Sequence, residues 1–301
     1  MSSSQTIAFI GLGNMGGPMA ANLAKAGMNV RAFDLSQDAL SLAKTAGCTP
    51  VTSVAEAVTD ADVVVTMLPA GKHVQAVYDS KDGVFANAGA GTLFCDCSTI
   101  DVPTARAVAE QATNKGFAMV DSPVSGGVAA AQAGTLTFMV GGNDDSFARA
   151  EPVLQPMAKA VIHAGDAGAG QAAKICNNML LGISMIGTCE AFVLAEKLGL
   201  DPQRFFDIAS KASGQNWSLS SYCPVPGPVP TSPANTDYAP GFATAMMLKD
   251  LRLAQQAAHG AGAATPLGAE AQALYAMFDN LGGSQVDFSG IIKMLRGDFK
   301  R

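Results

Sequence analysis

Positive charge is in short supply in this chain: 19 lysines and arginines stand against 25 aspartates and glutamates, a net charge of -6. Without a basic surplus to displace phosphate counterions, a nucleic-acid-binding surface is not expected. Histidine is scarcer still. His73, His163 and His259 are scattered, with no hydroxyl or metal-ligand partner evident, so neither a histidine relay nor a metal site is expected. The cysteines Cys48, Cys95, Cys97, Cys176, Cys189 and Cys223 form no CxxC pair and sit mostly in apolar runs. They read as buried thiols rather than metal ligands or disulfides, with Cys95 and Cys97 alternating on a strand toward one core. The stretch MSSSQTIAFIGLG has no basic segment leading into an apolar one, so no signal or transit peptide is expected, and a cytoplasmic location is. The longest apolar run is interrupted by Lys174, Asn177, Asn178, Glu190 and Glu196, which argues against a membrane span. The expected partners are therefore small molecules or further copies of the chain.

What the chain does have is size and apolar content. Its 301 residues are 49% hydrophobic and include 32 glycines, enough for one large domain or two ordinary ones with a substantial core. The first half alternates β-branched runs with helical patterns. TIAFIG, NVRAFD, DVVVTMLP and GTLFCDCS are separated by segments of helix length such as PMAANLAKAG, which predicts a parallel, doubly wound sheet. FAMVDSP and LTFMVGG extend it, and AVIHAG closes it. Beyond the glycine cluster Gly165–Gly170 the patterns become helical, beginning with GQAAKICNNMLLGISMIGTCEAFVLAEKLGL.

Gly11-Leu12-Gly13-Asn14-Met15-Gly16 directly follows the first strand and precedes a helix with Pro18 near its first turn. Gly11 suits the tight turn, Gly13 lets backbone N–H groups approach a pyrophosphate, and Gly16 permits close packing of helix on strand. Asp34 ends the second strand about twenty residues on, where a carboxylate accepts the ribose hydroxyls of NAD and repels the ribose phosphate of NADP. The other reading of Asp34 is a cap before a turn. Met67-Leu68-Pro69 and Ser98-Thr99 each follow a later strand at its carboxyl end and are assigned to the same cofactor, with Leu68, Pro69 and Thr99 as its contacts. The expected fold is therefore α/β. Residues 1–167 form an NAD-binding, Rossmann-type doubly wound sheet, and residues 168–301 form an all-helical domain.

At the end of FAMVD, Ser125-Gly126-Gly127 offers either a concave donor set for a carboxylate or a simple turn. In the long apolar helix, Lys174 and Asn178 lie one turn apart on one face, where burial without partners would cost several kcal/mol on the order given for desolvated polar groups. Between later helices, GQNWSLSSYCPVPGPVPTSPANTDYAPG has no regular period. It holds the single tryptophan, Trp217, which favours an ordered binding role.

GLGNMGGPMAANL, FDLS, MLPAG, DCST, DSPVSGGVAAAQAGTL, GAGQAAKICNNMLLG, SGQNWSL and GFATAMMLKDL resemble, in that order, segments of the β-hydroxyacid dehydrogenase family. The likeness runs over nearly the whole chain. It implies a catalytic Lys174, substrate contacts at Asn178, Ser125, Gly126 and Gly127, and cofactor contacts at Thr99 and Lys249. Lys249 and the adjacent Asp250 also read as a solvated pair near a helix end. The resemblance further implies a homodimer or homotetramer, and a fold in which the long helix spans the cleft between nucleotide and helical domains. The implied activity is NAD-dependent oxidation of a small β-hydroxyacid. 3-Hydroxyisobutyrate, converted to methylmalonate semialdehyde in valine breakdown, comes first, because an aromatic wall at Trp217 suits a methyl group. The tartronate semialdehyde/glycerate pair and 3-hydroxypropionate are the rival substrates, and a nucleotide-binding module without catalysis is the rival class.

Overall fold

The structure, a computed structural model, describes residues 5–299. Among the described residues, nine strands form one sheet: β1 (Thr6–Ile10), β2 (Asn29–Phe33), β3 (Thr49–Pro50), β4 (Val63–Thr66), β5 (Leu93–Asp96), β6 (Ala118–Asp121), β7 (Val124–Ser125), β8 (Leu136–Gly141) and β9 (Ala158–Gly165). Their order is β3-β2-β1-β4-β5-β6-β8-β7, with β9 paired to β8. From β3 to β6 every pairing is parallel. The expectation of a parallel sheet fails beyond that point. β8 meets β6 antiparallel at Asp121 and Gly141, and β7 folds back antiparallel on β8, while β9 runs parallel to β8.

Side chains along a strand alternate between faces, and here both faces are covered. Ile7 and Phe9 enter one apolar cluster with Val30, Val63 and Val65, together with Met19 and Leu23 of the helix Gly16–Lys25. Ala8 and Ile10 enter a second cluster with Val64, Phe94, Val74 and Val108. Cys95 and Cys97 share the first cluster, as the alternation predicts. Cys176 departs from the expected buried set and is exposed.

Strand order reverses at β1, which has β2 on one side and β4 on the other. That reversal opens a crevice at the carboxyl ends of the strands, and the glycine turn leaves β1 into it. A shallow cavity bordered by Gln5, Asp62, Thr92 and Arg149 lies at the opposite, amino-terminal ends of β1, β4 and β5. None of the predicted site residues lines it.

The chain divides into two compact units at Lys174/Ile175, within the helix Ala169–Lys197. By length and composition this helix could cross a membrane, against the expectation that its polar residues exclude this. Met185, Ile186, Cys189 and Phe192 on it are buried in the core of the second unit with Leu251, Tyr275 and Ile291. The proline-rich segment is not wholly irregular, since it contains the short helix Trp217–Ser220 and a 3-10 turn Pro233–Thr236. It is tied down by Tyr238 Oη donating to Pro224 O at 2.8 Å and by Tyr222 Oη donating to Asp287 Oδ2 at 2.9 Å.

Candidate active site

The glycine turn is shaped by what it excludes. Gly11 sits at φ +94°, where L side chains rarely go, and a Cβ there would collide with Met67 O. A Cβ on Gly16 would collide with Gly11 O, so helix and strand touch through bare backbone. Gly13 is different, with open space within 4 Å of where its Cβ would stand. Met15 opens the helix Gly16–Lys25 without a side-chain cap, so no side chain there neutralises the positive end of the helix dipole. A cradle of backbone N–H groups with open room above Gly13 fits the pyrophosphate of a dinucleotide.

Asp34, just past β2, is engaged on both oxygens. Leu12 N–H donates to Oδ2 at 2.6 Å and Ser36 N–H donates to Oδ1 at 2.8 Å. It therefore braces the glycine turn and shapes the approach to the helix Gln37–Thr45, whose own cap is Ser36. A carboxylate offers about four lone-pair positions, so two remain for ribose hydroxyls.

Beneath the predicted cofactor contacts at Leu68, Pro69 and Thr99 lies a buried polar network built on Asp96, 1% exposed. Its Oδ1 accepts from Thr66 Oγ1 at 2.7 Å and from Ser98 Oγ at 2.6 Å, while Ser98 Oγ accepts Leu68 N–H at 2.8 Å. The loops after β4 and β5 are thus held by one carboxylate. The sequence reading placed Ser98 with Thr99 at the cofactor but missed Asp96 and Gln171, although DCST and GQAAK contain them. Asp121 is a third omission. Its oxygens accept Gly168 N–H at 2.6 Å and Gln171 N–H at 2.8 Å, anchoring the start of the long helix to the end of β6. Burial pushes its carboxyl up to about 6, against the opposing pull of those two backbone donors.

Ser125 ends β7, and Gly126 and Gly127 follow at φ +131° and +68°. A Cβ on Gly126 would stand 2.5 Å from Ala130 Cβ, so the turn needs glycine there. Lys174 is buried at 7% exposure. In the second unit Asn178 is 2% exposed, and its Nδ2 donates to Asp250 Oδ2 at 2.5 Å while its Oδ1 accepts from Asn177 Nδ2 at 3.0 Å. Part of what faces Asn178 is therefore protein. The reading of Lys249 and Asp250 as a solvated pair fails for Asp250, which is 4% exposed, whereas Lys249 is half-buried on the helix Thr244–Ala261. Trp217 is 51% exposed and stacks on Tyr222, with ring centroids 5.0 Å apart. Among the described residues no group of three or more His, Cys, Asp or Glu could hold a metal.

Two family models cover the chain. The NAD binding domain of 6-phosphogluconate dehydrogenase matches residues 6–165, and a model described as NAD-binding of NADP-dependent 3-hydroxyisobutyrate dehydrogenase matches residues 168–295. A Mycobacterium tuberculosis protein named probable 3-hydroxyisobutyrate dehydrogenase is 53% identical, with 97% of this chain and 98% of that one aligned. A Pseudomonas aeruginosa protein named NAD-dependent L-serine dehydrogenase is 46% identical over 96% of this chain and 97% of its own. The solved structure of Mycobacterium tuberculosis 3-hydroxyisobutyrate dehydrogenase with L-serine superposes with a TM-score of 0.93 at 53% identity, covering 97% of this chain and 99% of that one. Matched by two NAD-binding family models and alike over nearly its full length to these relatives, the chain belongs to the β-hydroxyacid dehydrogenase family and is an NAD-dependent hydroxyacid dehydrogenase.

Proposed function

We propose that the enzyme oxidises 3-hydroxyisobutyrate to methylmalonate semialdehyde, a step of valine catabolism, with Lys174 as general base. The observation that carries this reading is the burial of Lys174 and, one helical turn on, of Asn178. A buried ionisable amine costs stability and is seldom kept without a task. When bound, NAD supplies the acceptor for the hydride leaving the alcohol carbon. The cradle Gly11, Leu12, Gly13, Asn14, Met15 and Gly16 would hold its pyrophosphate and Asp34 its ribose, with Leu68, Pro69, Thr99 and Lys249 as further contacts. Lys174 takes the hydroxyl proton as the C–H bond breaks and returns it in the reverse direction.

An amide nitrogen carries two N–H donors, so the bond from Asn178 to Asp250 leaves one for the hydroxyl oxygen. Ser125, Gly126 and Gly127 receive the carboxylate. The half-exposed face of Trp217 receives the methyl group, and the carboxylate Asp34 sets the preference for NAD over NADP. Leu180 and Leu194, exposed along the long helix, and Leu198, exposed just past its end, support association of the chain into a homodimer or homotetramer.

A second reading is favoured by the L-serine dehydrogenase relative and by the similar Mycobacterium tuberculosis structure, which is one with L-serine. L-Serine has the same carboxylate and β-hydroxyl, with an ammonium in place of the methyl group. Lys174→Ala tests what the two readings share. Turnover is expected to fall at least ~100-fold, with NAD affinity changed by no more than about threefold. Normal turnover in this variant would contradict both.

A further inference from the structure

Thr99 is flanked by two backbone groups that end on a single distant side chain. Gln171 Nε2 donates to Ser98 O at 2.7 Å, and Ile100 N–H donates to Gln171 Oε1 at 3.0 Å. One donor and one acceptor spanning a residue reproduce the two-point contact a neighbouring strand would make, and so fix the backbone of Thr99 on both sides. Gln171 is 0% exposed, a rare place for glutamine. With its amide oxygen and nitrogen both engaged its burial is tolerated, but a buried amide stabilises little more than an apolar side chain of the same volume. What the amide adds is a fixed relation between two segments.

The far end of that relation is the first turn of the long helix. Gln171 N–H donates to Asp121 Oδ2, and Gly168 N–H donates to Asp121 Oδ1, so the turn is pinned to β6. Lys174 follows Gln171 by three residues, on the adjoining part of the same helix face. Ser98, whose carbonyl Gln171 grips, also receives Leu68 N–H through its hydroxyl. The Thr99 loop and the helical turn carrying the base therefore meet at Gln171, and the Leu68 loop joins them through Ser98.

We propose that Gln171 is a positioning residue for the dehydrogenase reaction, holding the Thr99 loop in register with the helical turn that carries Lys174. The proposal rests on the reading of Thr99 as a cofactor contact and Lys174 as the base. In this role Gln171 touches no reacting atom. Its loss should slow the chemical step through misplacement, leaving substrate recognition at Ser125 and Asn178 largely in place.

The test uses the full chain as Gln171→Met, which keeps length and volume but removes both bonds, and as Gln171→Glu. For each, kcat, KM, NAD affinity by calorimetry and Tm are measured, with the primary isotope effect for hydroxyacid deuterated at the hydroxyl-bearing carbon. Gln171→Met is expected to lose about 10- to 100-fold in kcat with KM within about threefold. Its isotope effect should exceed that of the unaltered chain, because C–H cleavage becomes more rate-limiting. Gln171→Glu when ionised faces Ser98 O with an acceptor, whereas the protonated acid restores the donor. Its kcat relative to Gln171→Met should therefore rise as pH falls. The nearby titratable groups Asp121, Asp96 and Lys174 are common to both variants and cancel in that ratio.

Unaltered kcat and isotope effect in Gln171→Met, whatever its Tm, would overturn the proposal. A Gln171→Glu chain no more active than Gln171→Met at any pH, low pH included, would do the same, and this comparison stands even if the Met variant is less stable. Lys174→Ala in the same assay separates the two levels. If it retains turnover, the underlying reading falls and the proposal with it. If it is inactive while Gln171→Met is fully active, only the positioning role is lost.

Discussion

Asp34 accepts the backbone N–H of Leu12 at 2.6 Å across twenty-two residues of sequence, so the carboxylate predicted to read the cofactor's ribose is also a brace for the glycine turn. Asp34→Ala should therefore show two effects. NAD should bind at least ~10-fold more weakly, with its advantage over NADP reduced. Stability should fall by about 1–3 kcal/mol, because the N–H of buried Leu12 loses its acceptor. Calorimetric titration and urea unfolding check the two separately, and an unchanged NAD affinity would remove Asp34 from the cofactor site.

The glycines of the turn should separate in the same way. Gly16→Ala forces a Cβ onto Gly11 O and should lower Tm by several degrees. Gly13→Ala meets nothing within 4 Å and should leave Tm unchanged while weakening NAD binding. Thermal unfolding with and without NAD distinguishes them. A Gly13→Ala chain that binds NAD normally would show that the pyrophosphate does not lie over Gly13.

Asp121 predicts a pH dependence. Its folded carboxyl titrates near about 6, above the ordinary value of 3.8, so between those values the folded chain holds a proton that the unfolded chain has released. Its contribution to stability is thus fully present below about 4 and is lost as pH rises through about 6. Asp121→Asn does not titrate. Measured against it, the unaltered chain should lose relative Tm from pH 4 to pH 6 and then level off. A difference independent of pH would contradict the assignment.

Much of this was legible in the sequence because it is local. Strand alternation in TIAFI and FCDC, the spacing from Gly11 to Asp34 and the polar face of the long helix all follow from periods of two and 3.6 residues. What was missed is set by distant pairing. β3 and β7 have two residues each, too few for a periodic signal. The reversal of β8 depends on its contact with β6, which leaves no mark within LTFMVGG. Asp34 carries both a cap-like and a bracing bond, so neither sequence reading of it was complete. Gln171, Asp96 and Asp121 look like ordinary polar residues until the fold buries them against one another's loops. The cleft-spanning role of the helix, the substrate contacts and the oligomer were implied by family likeness, and Asn178 shows why such likeness needs geometry beside it, since its amide is already bonded to Asp250.

The substrate and cofactor assignments meet in one measurement, the initial rate of NADH or NADPH formation with 3-hydroxyisobutyrate, set beside L-serine, glycerate and 3-hydroxypropionate, each with NAD and with NADP. The highest kcat/KM is expected for 3-hydroxyisobutyrate with NAD. A higher kcat/KM for L-serine or glycerate would keep the fold, the NAD cradle and Lys174 but contradict the substrate assigned here.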